Sequence, residues 1–352
     1  MSDAANPAAL SCPVPLEVTD RVQLGHGSGG KLSAQLVARH FLPHFDNPIL
    51  SQLGDAAVVG VAGGELAIST DSFVVHPLEF PGGNIGALAV HGTLNDVAMM
   101  GARAACLTAG FVLEEGLSLA VLDRVTAAMA QAARDAGVPI VAGDTKVVER
   151  GKADGLYINT TGVGAMDSAF RPAPARAQAG DAVLVSAPIA RHGMAIMAAR
   201  EGLSFQSAIT SDSACLAPLV DRLRHFGMDV HVLRDATRGG VASALNEIAA
   251  ASDVGIEIDE AAIPVPGDVR AACELLGLDP LYVANEGVMV VFVAEERAEE
   301  ALRALRAHAL GAGAVRLGRV VAAHARLVAL RTALGGTRVV DLLPGDQLPR
   351  IC

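Results

Sequence analysis

At 352 residues the chain has room for two domains, since domains usually run to roughly 100–200 residues, and 51% hydrophobic content excludes wholesale disorder. A net charge of −11, with 3% aromatics and no Trp, excludes a general nucleic-acid binder, which needs clustered Lys and Arg and stacking rings. Five cysteines in no CxxC pair, no secretory leader pattern, and no apolar run of the ~18–20 residues that cross a bilayer point to a cytoplasmic protein without disulfides or membrane contact.

Residues 1–20 carry three prolines and no periodicity, and are expected to form a flexible lead-in. Ala56–Val61 and Leu66–Thr70 read as short strands. Gly86–Met100 has apolar and small residues at helical spacing, Leu117–Ala136 reads as a longer helix, and Val138–Val141 and Leu156–Val163 return to strand character. Phe170–Pro174 reads as a linker. Beyond it come a strand at Asp181–Ser186 and helices at Ile189–Arg200, Ser213–His225 and Gly239–Ala251. Strands at Val254–Ile258 and Val288–Ala294 and a helix at Ala298–His308 follow. Strands and helices mix without strict alternation, which predicts an α+β protein: one domain over 21–168, a second over 175–340. Asp341–Cys352, with two prolines and a Gly, is expected to be a mobile tail.

The first chemical signal is Gly25-His26-Gly27-Ser28-Gly29-Gly30-Lys31. Glycines let backbone N–H groups crowd an anion, and Lys31 adds charge. Leu32 stands where a P-loop needs its Mg²⁺-binding hydroxyl, so a standard P-loop is not expected. Alone, the run reads equally well as a flexible loop. Five aspartates accompany it: Asp55 at the start of a predicted strand, Asp71 and Asp144 just past strand ends, Asp96 after Asn95, and Asp235 before Ala236-Thr237-Arg238-Gly239-Gly240. Any one of them is as readily a turn or N-cap residue. As a set beside a glycine-rich loop they favour Mg²⁺ and a nucleotide, because hard carboxylate oxygens are what Mg²⁺ takes.

That loop resembles the ATP-binding superfamily of aminoimidazole ribonucleotide synthetase and selenophosphate synthetase. So do Gly54-Asp55-Ala56-Ala57, Ser69-Thr70-Asp71, His91 to Gly101, Gly143-Asp144-Thr145-Lys146 and Asp235 to Gly240, and the likeness runs over about residues 21–352. Within that superfamily, Pro349-Arg350-Ile351-Cys352 resembles the terminus of the carbamoyl dehydratases of hydrogenase maturation. The resemblance implies two mixed α/β domains of the aminoimidazole ribonucleotide synthetase type, a homodimer formed through the N-terminal domain, and ATP with Mg²⁺ as cofactors. It implies ATP contacts from Gly27, Ser28, Gly29, Gly30, Lys31, Asn95, Asp144, Thr145, Thr237 and Arg238, and Mg²⁺ contacts from Asp55, Asp71, Asp96 and Asp235. It further implies that Cys352 receives a carbamoyl group from the carbamoyltransferase HypF. ATP-dependent dehydration then makes a thiocyanate, and a HypC–HypD complex accepts the cyanide destined for the iron of [NiFe] hydrogenase. Lys146 and Glu286 are the candidate bases; Lys146 could instead neutralise phosphate, and Glu286 bind solvent or a helix end. His91 could orient the tail or be a packed core histidine. Arg350 could dock the tail or lower the thiol pKa.

Two alternatives stand beside this one. A sister enzyme making selenophosphate or a purine intermediate would leave Cys352 without a role, and Cys12, followed by Pro13, makes a poor nucleophile. A binding module whose tail is captured by a partner would not need the aspartates. Prenylation needs a Cys four residues from the end.

Overall fold

The structure, a computed structural model, describes residues 21–27, 30–45, 47–202, 209–343, 345, 348 and 350–352. The expected lead-in with Cys12, and Ser28, Gly29 and Pro349, lie outside the described residues.

A short helical segment, α1 (Lys31–Leu36) and α2 (Leu42–Phe45), follows the glycine-rich loop. The first sheet is built from β1 (Ala57–Val61), β2 (Gly64–Phe73), β5 (Arg103–Glu114), β6 (Ile140–Val148) and β7 (Leu156–Ala165), with a small hairpin of β3 (Glu79–Phe80) and β4 (Gly83–Asn84) beside it. Its order is β1-β2-β7-β5-β6, and only the β5–β6 pair is parallel. Two helices, α3 (Ile85–Met99) and α4 (Leu119–Ala136), pack against each other, and α3 lies on β2 and β7. Asn84 caps α3 by accepting from Gly86 N and Ala87 N, which satisfies two otherwise orphaned N–H groups. Nearly every residue of α3 is buried, because one side faces the sheet and the other the second half of the chain. Glycine permits that crowding: a Cβ on Gly86 would sit 2.2 Å from Val125 O of α4, and one on Gly92 2.9 Å from the Phe73 ring.

The second half holds β8 (Ala182–Val185), α5 (Arg191–Glu201), α6 (Ala217–Leu223), β9 (Val230–Asp235), α7 (Gly240–Ser252) and β10 (Gly255–Asp259). It continues with α8 (Gly267–Leu276), β11 (Met289–Val293), α9 (Ala298–Arg306), β12 (Val315–Val321), β13 (Val328–Arg331) and β14 (Thr337–Val340). Its sheet runs β14-β13-β10-β12-β8-β11-β9. The central strands β8 and β11 are buried at every position, which is why they read as unbroken Val-rich runs.

Several expectations change. Asp71 and Asp144 lie inside β2 and β6 rather than past strand ends, because pairing with β7 and β5 carries both strands further than their apolar cores. Helix α6 begins at Ala217 and not at Ser213, since residues 211–213 are engaged in side-chain and main-chain hydrogen bonds to other elements. Phe170, read as part of a linker, is fully buried with the Arg224 guanidinium 5.3 Å from its ring centroid. The terminal segment, expected to be mobile, is seated here: Leu348, Ile351 and Cys352 are buried.

Candidate active site

Five acidic side chains from five parts of the chain converge on one cavity. Asp55 precedes β1, Asp71 is on β2, Asp96 is on α3, Asp235 ends β9 and Glu286 precedes β11. Carboxylate oxygens of Asp55, Asp96 and Asp235 all lie within 4.8 Å of one another. Arg234, Thr237, Arg238 and Cys352 complete the wall, so five carboxylates face two guanidinium groups. Arg234 is divided between Asp55 and Glu247, 2.7 Å away. Ser69 Oγ donates to Asp96 Oδ2 at 2.6 Å. Asp55 Oδ2 and Glu286 Oε1 are buried with no hydrogen-bond partner.

Burial in such company raises carboxylate pKa values. Desolvation, then the charges of Asp235 and Asp71, push Asp96 well above the usual range. Desolvation, opposed by Arg234 and aided by Asp71, brings Asp235 to about 6. Glu286 rises well above its ordinary value through desolvation and then Asp235, Asp71 and Asp212, and Asp71 rises chiefly through desolvation. Arg238 is held more firmly protonated, first by negative charge at Cys352 and then, against desolvation, by Asp71, Glu286 and Asp96. A hard divalent cation fits this donor set: it would neutralise the surplus charge and take up the orphaned Asp55 oxygen.

Cys352 lines this cavity and also a second one beside it, walled by Gly27, Gly30, Arg238, Gly239, Tyr282 and Leu348. The tail reaches that place by pairing with the chain after β2. Val74 N donates to Cys352 O at 3.0 Å and His76 N to Arg350 O at 3.3 Å, while Arg350 Nε donates to Val74 O at 3.1 Å. Asp154 accepts from Arg350 Nη1 at 2.5 Å and lies 3.2 Å from His76 Nδ1. Arg350 thus docks the tail.

Of the residues singled out in the sequence, Asp55, Asp71, Asp96, Asp235, Thr237, Arg238, Glu286 and Cys352 meet at the cavity, with Gly27 and Gly30 in the adjoining one. Lys31 instead pairs with Asp341 at 2.6 Å, the anion its position offers, and its N–H donates to Leu343 O. Asn95 is consumed structurally: its side chain donates to Ala214 O and accepts from Leu216 N, tying α3 to the second half. His91 bonds Ser213 Oγ at 3.0 Å and is lowered to about 4 by desolvation, with Asp135 opposing; it lines neither cavity. Asp144, Thr145 and Lys146 line neither. Lys146 pairs with Asp144 at 2.6 Å on the exposed edge strand β6. Arg234, Asp212 and His192 carry no motif that marks them in the sequence, though Arg234 directly precedes Asp235.

Residues 53–166 match the family model for the AIR synthase related protein N-terminal domain, and 178–329 that for its C-terminal domain. The chain is 53% identical to the carbamoyl dehydratase HypE of Cupriavidus necator over 340 residues, covering 96% of this chain and 97% of that protein. With the Escherichia coli carbamoyl dehydratase HypE it shares 47% over 338 residues, 95% of this chain and 100% of that one. A crystal structure of a HypE–HypF complex matches with a TM-score of 0.84 at 45% identity, covering 88% of this chain and 99% of that one. HypE in complex with ATP matches at 0.80 and 51% identity, covering 93% and 98%.

Proposed function

The chain belongs to the HypE carbamoyl dehydratase family, and on that premise we propose that it dehydrates a carbamoyl group carried on its own Cys352, using ATP. The product would be the thiocyanate that supplies cyanide to the iron of [NiFe] hydrogenase. The observation that carries this proposal is the placing of Cys352 at the junction of a glycine-walled cavity and a carboxylate cavity. A similar protein has been seen with ATP.

An amide oxygen leaves poorly as hydroxide and well as phosphate. The carbamoyl oxygen attacks the γ-phosphorus of ATP, ADP departs, and one N–H proton is lost to give an imidate phosphate on sulfur. Loss of the second N–H proton with cleavage of the C–O bond releases phosphate and leaves S–C≡N. Glu286, buried and raised well above the ordinary range, is a strong base once ionised. Arg238 lines both cavities with Cys352 and is drawn to the surrounding negative charge, so it would offset charge developing on the transferring phosphoryl group. Asp55, Asp96 and Asp235, with Asp71 beside them, would hold Mg²⁺, which supplies charge neutralisation at phosphate oxygens. Thr237, Gly27 and Gly30 would contact the nucleotide, with Ser28 and Gly29 of the same loop.

Cys352 is only 9% exposed when seated, so loading and unloading happen with the tail released. HypF fits as the carbamoyl donor, a HypE relative having been crystallised with it. A HypC–HypD complex is the cyanide acceptor that the family resemblance implies. No helix among the described residues is long and apolar enough to cross a membrane, and the cytoplasm is the expected compartment. The edge strand β6 is exposed along Ile140–Val147 and includes apolar Ile140, Val141 and Val147. Its exposure supports a homodimer in which β6 meets a second copy and offers Asp144, Thr145 and Lys146 to the partner's cleft.

The decisive test gives carbamoylated protein MgATP and follows the peptide containing Cys352 by mass spectrometry. Loss of one water is expected, and Cys352→Ala should bind ATP but lose all cyanide production. An unchanged mass with ATP bound would leave a tail-docking module as the better account.

A further inference from the structure

Helix α5 lies along the seated tail, and its tail-facing residues are spaced two turns apart. Near its N-terminus, His192 is fully buried and uses both ring nitrogens: Nδ1 lies 2.7 Å from Ser211 Oγ and Nε2 2.7 Å from Ile351 O. A carbonyl only accepts, so Nε2 carries the proton and Nδ1 accepts from the Ser211 hydroxyl. Ser211 Oγ in turn accepts from Ser213 N at 3.0 Å. The chain of donors therefore runs from Ser213 through Ser211 and His192 to the carbonyl next to Cys352. Gly193 makes room for the tail as well, since a Cβ there would lie 3.0 Å from Leu348 Cδ1. Two turns on, Arg200 donates to the carbonyls of Arg350 and His76, clasping the tail to the chain beside it.

The strap that holds His192 also holds the candidate base. Asp212, between Ser211 and Ser213, accepts from Glu286 N at 2.9 Å through Oδ1, and Ser213 Oγ bonds His91 of α3. A Cβ on Gly287 would fall 1.9 Å from Asp212 O, so the strap and the Glu286 segment are in close contact. Three consecutive residues thus reach the tail latch, the base and the central helix.

We infer that His192, backed by Ser211, is a positioning residue: it latches the Ile351 carbonyl and, through the 211–213 strap, sets the Cys352 sulfur in register with Glu286. Release of the tail takes the Ile351 carbonyl away from Nε2–H, so the bond is made only with the arm seated. The inference rests on the dehydratase proposal for its catalytic consequence, but the latch is measurable without any chemistry on the thiol's cargo.

The experiment compares full-length wild type with His192→Ala, His192→Gln and Ser211→Ala, each checked by its melting temperature. Labelling of Cys352 by a thiol reagent is read at its own peptide, because Cys106 and Cys215 are partly exposed. Loss of a buried hydrogen bond predicts labelling faster by on the order of ten- to a hundredfold in His192→Ala. Single-turnover dehydration should slow by a similar factor with the KM for ATP unchanged, and Gln, which keeps a donor, should recover part of both. Ser211→Ala should shift both in the same direction by less, and it carries the test if His192→Ala does not fold. Labelling unchanged in the folded variants overturns the latch. Faster labelling with wild-type dehydration overturns the positioning role. If wild-type protein itself dehydrates nothing, the dehydratase proposal fails while labelling still decides the latch.

Discussion

Glu286 combines 3% exposure with an Oε1 that has no protein partner, a condition that makes it a candidate functional carboxylate. Glu286→Gln keeps the shape and removes the proposed base, so dehydration should fall by about 10²–10⁴-fold while nucleotide affinity holds. A rate unchanged in single turnover would remove Glu286 from the chemistry. The aspartates permit a different test. Asp235 is raised to about 6, and Asp96 is raised too, so between their unfolded values and the raised ones the folded chain binds more protons than the unfolded. The contribution of Asp235 to stability therefore falls as pH rises through about 6, and Asp96 adds a fall of the same sign. His91 and His192, each lowered to about 4 chiefly by desolvation, act oppositely: stability is lost as pH falls from about 6.5 towards 4. The histidines cancel when melts with Mg²⁺ are compared with melts in chelator. The Mg²⁺-induced rise in melting temperature should accordingly grow as pH increases through about 6, because metal binds the ionised carboxylates, and Asp235→Asn should remove most of it. A rise that is absent, or flat with pH, would speak against a cation at Asp55, Asp96 and Asp235.

At the scale of elements, α3 was legible almost to the residue, expected over 86–100 and found over Ile85–Met99, because small and apolar residues at helical spacing describe a helix packed on two sides. The twelve-residue β5 was not: Ala104, Ala105, Ala109 and Gly110 have no strong strand character, and pairing on both edges decides the outcome. The same partner extends β6 through Gly143 and Asp144, which read locally as a turn. In the site, motif aspartates were legible because carboxylates and glycines cluster in sequence. Arg234 and His192 were not, because their roles come from partners 179 and 159 residues away. The tail's order escaped for the same reason, since it is held by long-range main-chain bonds to Val74 and His76. Edge strand β6 makes its own prediction. Charges placed at Val141 and Val147, 60% and 67% exposed here, should convert the proposed dimer to monomer by light scattering, because edge charges oppose strand-to-strand and face-to-face association. A mass already that of one chain in the unmutated protein would end the dimer proposal.

For the whole molecule, the arrangement separates two jobs in space. The thiol-bearing tail, Glu286, Arg238 and the aspartates belong to one cavity system of one chain, whereas Lys146 lies with Asp144 on the outer edge of the first sheet. If a second copy packs on that edge, each complete site combines one chain's Cys352 with the other chain's Lys146, and the two defects become separable by mixing. Lys146→Ala protein keeps its thiol, and Cys352→Ala protein keeps its lysine. Each homodimer alone should be inactive. Co-folded in equal amounts, half the dimers should be hybrids with one complete site each, restoring roughly a quarter of the wild-type thiocyanate yield as random pairing in a twofold dimer requires. All of it should appear on the Lys146→Ala chain, which its mass distinguishes. Restored activity would show that the arm of one protomer is served by the edge strand of its twin. No recovery from verified hybrids would place Lys146 in service of its own chain, whereas an active Lys146→Ala homodimer would leave Glu286 and Arg238 to carry the dehydration without it.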